Sequence, residues 1–288
     1  MGKKTSLILL PVIIAAATSC RNLDFAGLFC PGSAGVDERF GQSMQYNAEH
    51  GYPSINVKSD DYKVYVFTDA HIDSTTRNLD AFVSKAIADE SDMPVALFLG
   101  DMVNCKGSAP RDLFMKATAP LEGKCRLFIT AGNHDLYFGE WPGFLSLVHT
   151  SSYWFEVKCP AAKDLYICLD SAGGTLGYNQ RMWLEDILKE KAGQYRHTII
   201  FTHTHFFRRD TSQSLTSNYS LEETYDLTSL FSKYGVDLIL TGHDHTKEDS
   251  LFGGVRYVTV QALDERIPAP GYSLCSMGKD IMVDFPSI

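Results

Sequence analysis

Leu127-Phe128-Ile129-Thr130-Ala131-Gly132-Asn133-His134-Asp135 is the stretch from which the fold is read. Leu127–Gly132 is a short apolar run closed by a turn residue, the pattern of a buried strand. It empties into an amide, an imidazole and a carboxylate. The same form recurs along the chain. Tyr62–Thr68 runs into Asp69-Ala70-His71, Val95–Gly100 into Asp101, Thr198–Thr202 into His203, and Val236–Gly242 into His243-Asp244-His245. Open α/β sheets bind ligands outside the carboxyl ends of their strands. Strands that end this way deliver hard oxygen and imidazole nitrogen donors to one edge, which predicts a metal centre.

The intervening segments alternate with these strands as helices. Asn78–Glu90 carries Leu79, Phe82, Val83, Ala86 and Ile87 on one side, a helical stripe. Arg111–Thr118, Gln180–Lys191 and Leu227–Tyr234 are further helices, the last stopped by Gly235. Strand-helix-strand order implies parallel pairing in the first part of the chain. After residue 250 the rhythm changes: Gly254–Val260, Gly271–Met277 and Lys279–Phe285 are short strands with no helix between them, as in an antiparallel flank.

With 44% hydrophobic and 21% charged residues over 288 positions, the composition is that of a globular chain able to bury a sizeable core. No repeat or charge run divides it, so one catalytic domain over 61–288 is expected behind a leader, 1–19, and a tether and lead-in, 20–60. Val36–Tyr46 is a candidate helix in that lead-in. The formal charge of −9 argues against broad binding to nucleic acid or anionic lipid surfaces.

The leader has Lys3 and Lys4 before an apolar run, Leu7–Ala17, of 11 residues, too short to span a bilayer as a helix. Ala17-Thr18-Ser19 before Cys20 resembles the bacterial lipobox, which implies lipidation of Cys20 and an exported protein held at a cell-envelope membrane; an ordinary secretory cleavage nearby is the alternative. Export permits disulfides, but Cys125 and Cys168 lie in strand-like runs and read as buried free thiols.

The donor chemistry follows from residue type. Asp69 and His71 are two apart, so on an extended strand end they face the same side, and His243 pairs with His245 in the same way. Asp101 offers two oxygens and can bridge two ions; Asn133 offers a carbonyl oxygen and His203 an imidazole. A mixed nitrogen and oxygen set suits Mn, Fe or Zn better than Ca or Mg. Two divalent ions bring water from a pKa of 15.7 toward about 7 and polarise a phosphoryl group. No serine elbow or phosphate loop competes with that chemistry. Each motif alone reads as an ordinary turn, and His50, His149 and His197 read as core or surface residues. The joint order of Asp-x-His, Gly-Asp, Gly-Asn-His-Asp, His and Gly-His-x-His reverses this.

Over about residues 62–260 that order resembles the calcineurin-like metallophosphoesterases, in their general bacterial branch. The resemblance, together with the split between alternating and strand-only segments, implies a four-layer α/β/β/α sandwich with mixed sheets. It implies one metal on Asp69, His71, Asp101 and His245, a second on Asp101, Asn133, His203 and His243, and catalytic roles for Asp101 and for His134, which would contact the scissile phosphate. The activity implied is hydrolysis of a small phosphomonoester or phosphodiester by a hydroxide between the ions. A non-catalytic binding protein on the same scaffold and an exported nuclease are the other readings.

Two positions depart from the pattern. Asn104 stands where protein phosphatases have an Asp supporting the histidine, and His205 replaces a common Pro. Both are candidate substrate contacts, as are Arg208 and Arg209, a possible phosphate clamp. Leu136–Phe144, Ala172–Asn179 and Phe206–Asn218 are expected to shape the pocket.

Overall fold

The computed structural model describes residues 35–104, 106–191, 193–207 and 218–288. The leader, Cys20, Cys30, Cys105, Arg208 and Arg209 lie outside these. In chain order the elements are α1 (Val36–His50), β1 (Ser54–Asn56), β2 (Tyr62–Phe67), α2 (Arg77–Ala88), β3 (Val95–Phe98), α3 (Ser108–Thr118) and β4 (Arg126–Ile129). They continue as α4 (Trp141–Val148), β5 (Tyr153–Lys158), β6 (Lys163–Cys168), α5 (Gly177–Lys191), β7 (His197–Phe201), α6 (Leu221–Lys233) and β8 (Leu238–Thr241). The chain closes with β9 (Glu248–Phe252), β10 (Val255–Thr259), β11 (Ser273–Met277) and β12 (Ile281–Asp284).

The strands form two mixed sheets, ordered β1-β5-β6-β7-β8-β10-β9 and β12-β11-β2-β3-β4. Period-two patterning of β2 explains the layering. Val64 and Val66 face the other sheet and join Leu97, Phe128, Phe155, Phe201 and Leu240 in an inter-sheet core. Tyr65 and Phe67 face outward and pack with Phe82 of α2, Phe114 of α3 and Phe144 of α4. On the far side Ile167 and Ile200 pack under Leu184 of α5 and Leu227 and Phe231 of α6. Three apolar layers therefore separate helix, sheet, sheet and helix, the sandwich expected from the sequence. Each fully buried Leu or Phe contributes about 1.5–3 kcal/mol.

Several expectations are revised. The strand-only tail does not stay together: β10 pairs parallel with β8 and antiparallel with β9, whereas β11 and β12 pair antiparallel beside β2. Leu136–Phe144 is a tight turn leading into α4, with Trp141 and Phe144 buried in the core. Helix α6 starts at Leu221, six residues before its apolar stripe, because the Ser220 hydroxyl accepts the Glu223 N–H at 3.1 Å. The described cysteines Cys125, Cys159, Cys168 and Cys275 are free thiols. No helix among the described residues is long and apolar enough to cross a membrane.

The lead-in is built into the domain from Val36 onward. β1 pairs parallel with β5, and α1 docks through a polar seam. Asn47 Nδ2 donates to the Ser152 carbonyl at 2.8 Å, and the Ser43 hydroxyl accepts the Ser151 N–H at 3.0 Å. At its centre the Arg39 guanidinium donates to both oxygens of Asp170, at 2.8 and 3.0 Å, with both side chains buried. Loss of one partner of such a pair strands a buried charge. Arg39→Met is expected to lower unfolding free energy by about 3–5 kcal/mol, read from urea denaturation; a loss under 1 kcal/mol would show that α1 is held by other contacts.

Candidate metal centre

In one sheet β2, β3 and β4 are mutually parallel, and in the other β7 and β8 are parallel, so five carboxyl ends open on one edge. The ladder continues past the strands: the Asp69 N–H donates to the Gly100 carbonyl at 3.0 Å, and the His71 N–H to the Asp101 carbonyl at 3.1 Å. The side chains converge for a different reason from the one expected. Asp69, His71, Asp101, His243 and His245 all have positive φ, between 44° and 72°. They are not alternating positions of an extended strand but left-handed turns. That conformation costs a non-glycine residue about 1–2 kcal/mol, and such strain concentrates at functional sites.

The donors meet closely. His245 Nε2 lies 3.0 Å from His71 Nε2 and 3.2 Å from Asp69 Oδ1. His203 Nε2 lies 3.0 Å from Asn133 Oδ1 and 3.1 Å from His243 Nδ1. Asp101 joins the two groups through one oxygen. Its Oδ1 accepts the His134 N–H at 2.8 Å, while Oδ2 sits 3.6 Å from His71 Nε2 and 3.4 Å from His203 Nε2. His134 places its ring against the first group, 4.6 Å from that of His71 and perpendicular to it.

Neighbouring groups orient each donor. The His203 Nδ1–H faces the Leu99 carbonyl at 2.8 Å, leaving Nε2 to bind. Asp69 Oδ2 accepts from the Thr68 hydroxyl at 2.6 Å and the His243 N–H at 2.9 Å, leaving Oδ1 free. Tyr137 Oη accepts from Asn133 Nδ2 at 2.8 Å, so the amide presents its oxygen to His203. Two motif glycines are there for space: a Cβ on Gly132 would overlap Asp101, and one on Gly242 would overlap Thr68 and Asp69.

The electrostatics fit cations. Asp69 Oδ1 is buried without a hydrogen-bond donor, and among the described residues the ion pairs of Asp69 and Asp101 run to imidazoles. Burial would raise both carboxyls, yet the surrounding histidines hold them below the usual carboxylate range. Burial opposes protonation of His203, but Asp101 outweighs it and pushes the imidazole up to about 9; burial and His203 push His243 down to about 3. Two atoms each about 2.0–2.2 Å from one ion lie about 3 Å apart, the spacing seen here. Asp69, His71 and His245, and likewise Asp101, His203 and His243, have ligand atoms mutually within 4.8 Å.

A family profile described as calcineurin-like phosphoesterase matches residues 62–247, more than half of the chain. The chain belongs to the calcineurin-like phosphoesterase family. Its fold is similar to a dimetal phosphatase from Danio rerio, at 13% identity and TM-score 0.60, covering 78% of this chain and 96% of that one. It is also similar to a purple acid phosphatase from yellow lupin seeds, at 13% identity and TM-score 0.60, covering 80% of this chain and 52% of the other. A 5'-nucleotidase-like protein of Staphylococcus aureus matches at 16% identity and TM-score 0.52, covering 78% and 53%. At these identities the likeness speaks for the fold. No curated protein matches.

Asp69, His71, Asp101, Asn133, His134, His203, His243 and His245 are thus gathered at one edge. Asn104 sits at its rim, and His205 is buried beside His243, ring centroids 5.5 Å apart. The sequence reading left two supporting residues without a role there. Asp135 takes the Asp101, Met102 and Gly132 N–H groups at 2.9–3.0 Å, tying the second and third motifs together, while burial and Asp101 push its carboxyl up to about 7. Its place in Gly-Asn-His-Asp was a signal. Tyr137 is the second, its hydroxyl holding the Asn133 amide. Tyr137→Phe is expected to free the Asn133 amide and weaken metal binding about tenfold at unchanged melting temperature, measured by chelator competition; unchanged affinity would remove Tyr137 from the site.

Proposed function

We propose that this protein hydrolyses a small phosphate ester, mono- or diester, with two metal ions. The carrying observation is Asp101 Oδ2, an oxygen that faces both donor groups. Asp69, His71 and His245 with Asp101 would hold one ion; Asn133, His203 and His243 with Asp101 the other. Bound divalent ions supply Lewis acidity toward a phosphoryl oxygen and a nucleophilic water at neutral pH. The nitrogen and oxygen donors, without thiolate, favour Mn, Fe or Zn.

The chain's own residues supply placement and a proton. Asp101 Oδ1, by accepting the His134 N–H, fixes where that ring begins. Burial lowers the His134 pKa, with Asp101 pulling the other way, and an imidazole set against the phosphate is a group that general acid–base catalysis can use. It would contact the phosphate and, when protonated on both nitrogens, pass one proton to the departing oxygen and return to the neutral ring. The complete donor set speaks against a binding protein that lacks turnover, and the acidic composition against a nuclease that tracks a long strand. Export and lipidation of Cys20, with attachment to a cell-envelope membrane, belong to the same proposal and rest on the leader.

The test is hydrolysis of chromogenic phosphomonoesters and phosphodiesters by chelator-stripped protein with Mn, Zn or Fe restored. Metal-dependent turnover is expected; two bound ions without turnover of either ester would support the binding-protein reading. His134→Ala is expected to keep its metal content and lose at least about a hundredfold in kcat. His243→Ala is expected to lose one ion per chain by elemental analysis; two retained ions would break the assignment of the second site.

A further inference from the structure

We infer that Asn104 and Arg266 are positioning residues for His134, a role that rests on the phosphoesterase reading. The partner that the structure gives His134 Nδ1 is a main-chain carbonyl, that of Asn104, at 3.3 Å. A carbonyl acceptor fixes the proton on Nδ1 and leaves Nε2 as the ring atom available to substrate, because the hydrogen bond at one nitrogen sets the state of the other. Unlike a carboxylate it brings no charge, so its value lies in where it is held.

It is held from three directions. The Asn104 N–H donates to the Ile72 carbonyl at 3.2 Å, extending the Ile72–Val103 bridge beyond β3. The side-chain amide then clamps the residue sideways: Nδ2 donates to both Asp73 oxygens at 3.2 Å, and Oδ1 accepts from Arg266 Nη1 at 3.0 Å. Arg266 is set by Asp264, through Nε at 2.8 Å and Nη2 at 2.7 Å.

The loop bearing Asp264 and Arg266 is anchored to the centre itself. Leu263 N–H donates to the Thr68 carbonyl at 3.0 Å, next to Asp69, and Gln261 Nε2 donates to the His245 carbonyl at 2.7 Å. Asp264 is almost fully buried, whereas the Arg266 side chain is 53% exposed. The contacts of Asn104 with Asp73 and Arg266 are themselves exposed, and such contacts add little to stability. Their common endpoint is the residue whose carbonyl addresses His134, and orientation is where such a chain has leverage, since small misplacements cost rate steeply.

The test combines kinetics with nitrogen-15 histidine spectra of the zinc-restored protein, the His134 signals being assigned by their loss in His134→Ala. Wild type is expected to carry the His134 proton on Nδ1. Arg266→Met and Asn104→Ala are expected to show both tautomers and kcat lowered about tenfold, with KM and metal content unchanged. Arg266→Lys, which keeps a donor, is expected to recover most of the rate. An unchanged tautomer in the variants overturns the inference, as does a changed tautomer with kcat untouched, or a rise in KM alone, which would make Arg266 a substrate contact. If wild type turns over no phosphate ester, the phosphoesterase reading falls and the spectra alone decide the positioning role. Should Arg266→Met fail to fold, Asn104→Ala, which retains the carbonyl, decides it.

Discussion

Two buried carboxylates that, among the described residues, have no ammonium or guanidinium in ion-pair contact are the constraint on which this structure turns. Asp69 and Asp101 are essentially inaccessible, and imidazoles are their charged partners among the described residues. An ionised carboxylate taken from water without compensation costs several kcal/mol. Histidines gathered around such groups must either take up protons or share cations, and the arrangement leaves room for both. The same constraint explains why Asp69 splits its oxygens, one bound to Thr68 and His243 and one left bare. It also explains why Asp101 does so, with one oxygen on the His134 N–H and one between the donor groups.

Much of this was readable in the order of residues, because strand ends announce themselves by apolar runs that stop at glycine or threonine. The runs before Asp69, Asp101, Asn133, His203 and His243 correspond to β2, β3, β4, β7 and β8, and all five lead to the same edge. The local geometry was not readable in the same way. Alternation along an extended strand was expected to align Asp69 with His71; positive φ at both aligns them instead. Aspartate tolerates the left-handed region better than most residues, but nothing in spacing distinguishes a turn of this kind from one more strand residue. β9 was equally hidden, since Glu248–Phe252 forms a partly exposed edge strand with no apolar face to betray it.

Supporting residues were legible in proportion to their closeness to a motif. Asp135 and Tyr137 follow Asn133 within four residues, whereas Arg266 lies 162 positions from the Asn104 that it holds. A contact of that separation depends on tertiary structure alone. It arises because β10 runs parallel beside β8 and so delivers the loop after it to the edge where the donors meet. Departure of Asn104 from an acidic residue was visible from the start; the carbonyl that takes over required the backbone to be seen.

The lead-in helix belongs to the same edge, although it precedes every motif. Arg39 of α1 fixes Asp170, and the next residue, Ser171, accepts from the Thr202 hydroxyl at 2.6 Å and from the Thr204 N–H at 2.8 Å. Thr202 and Thr204 flank His203. The Ser171 carbonyl also accepts from the Thr204 hydroxyl at 2.8 Å. Gln180 of α5 closes the network by donating to the Asp170 carbonyl and accepting the Asp170 N–H. A buried polar network in which the members are satisfied holds one arrangement, while a partly satisfied one does not. Residues 36–50 therefore do more than cover the helical layer: through two hydroxyls and a carboxylate they help set the height at which His203 meets Asp101.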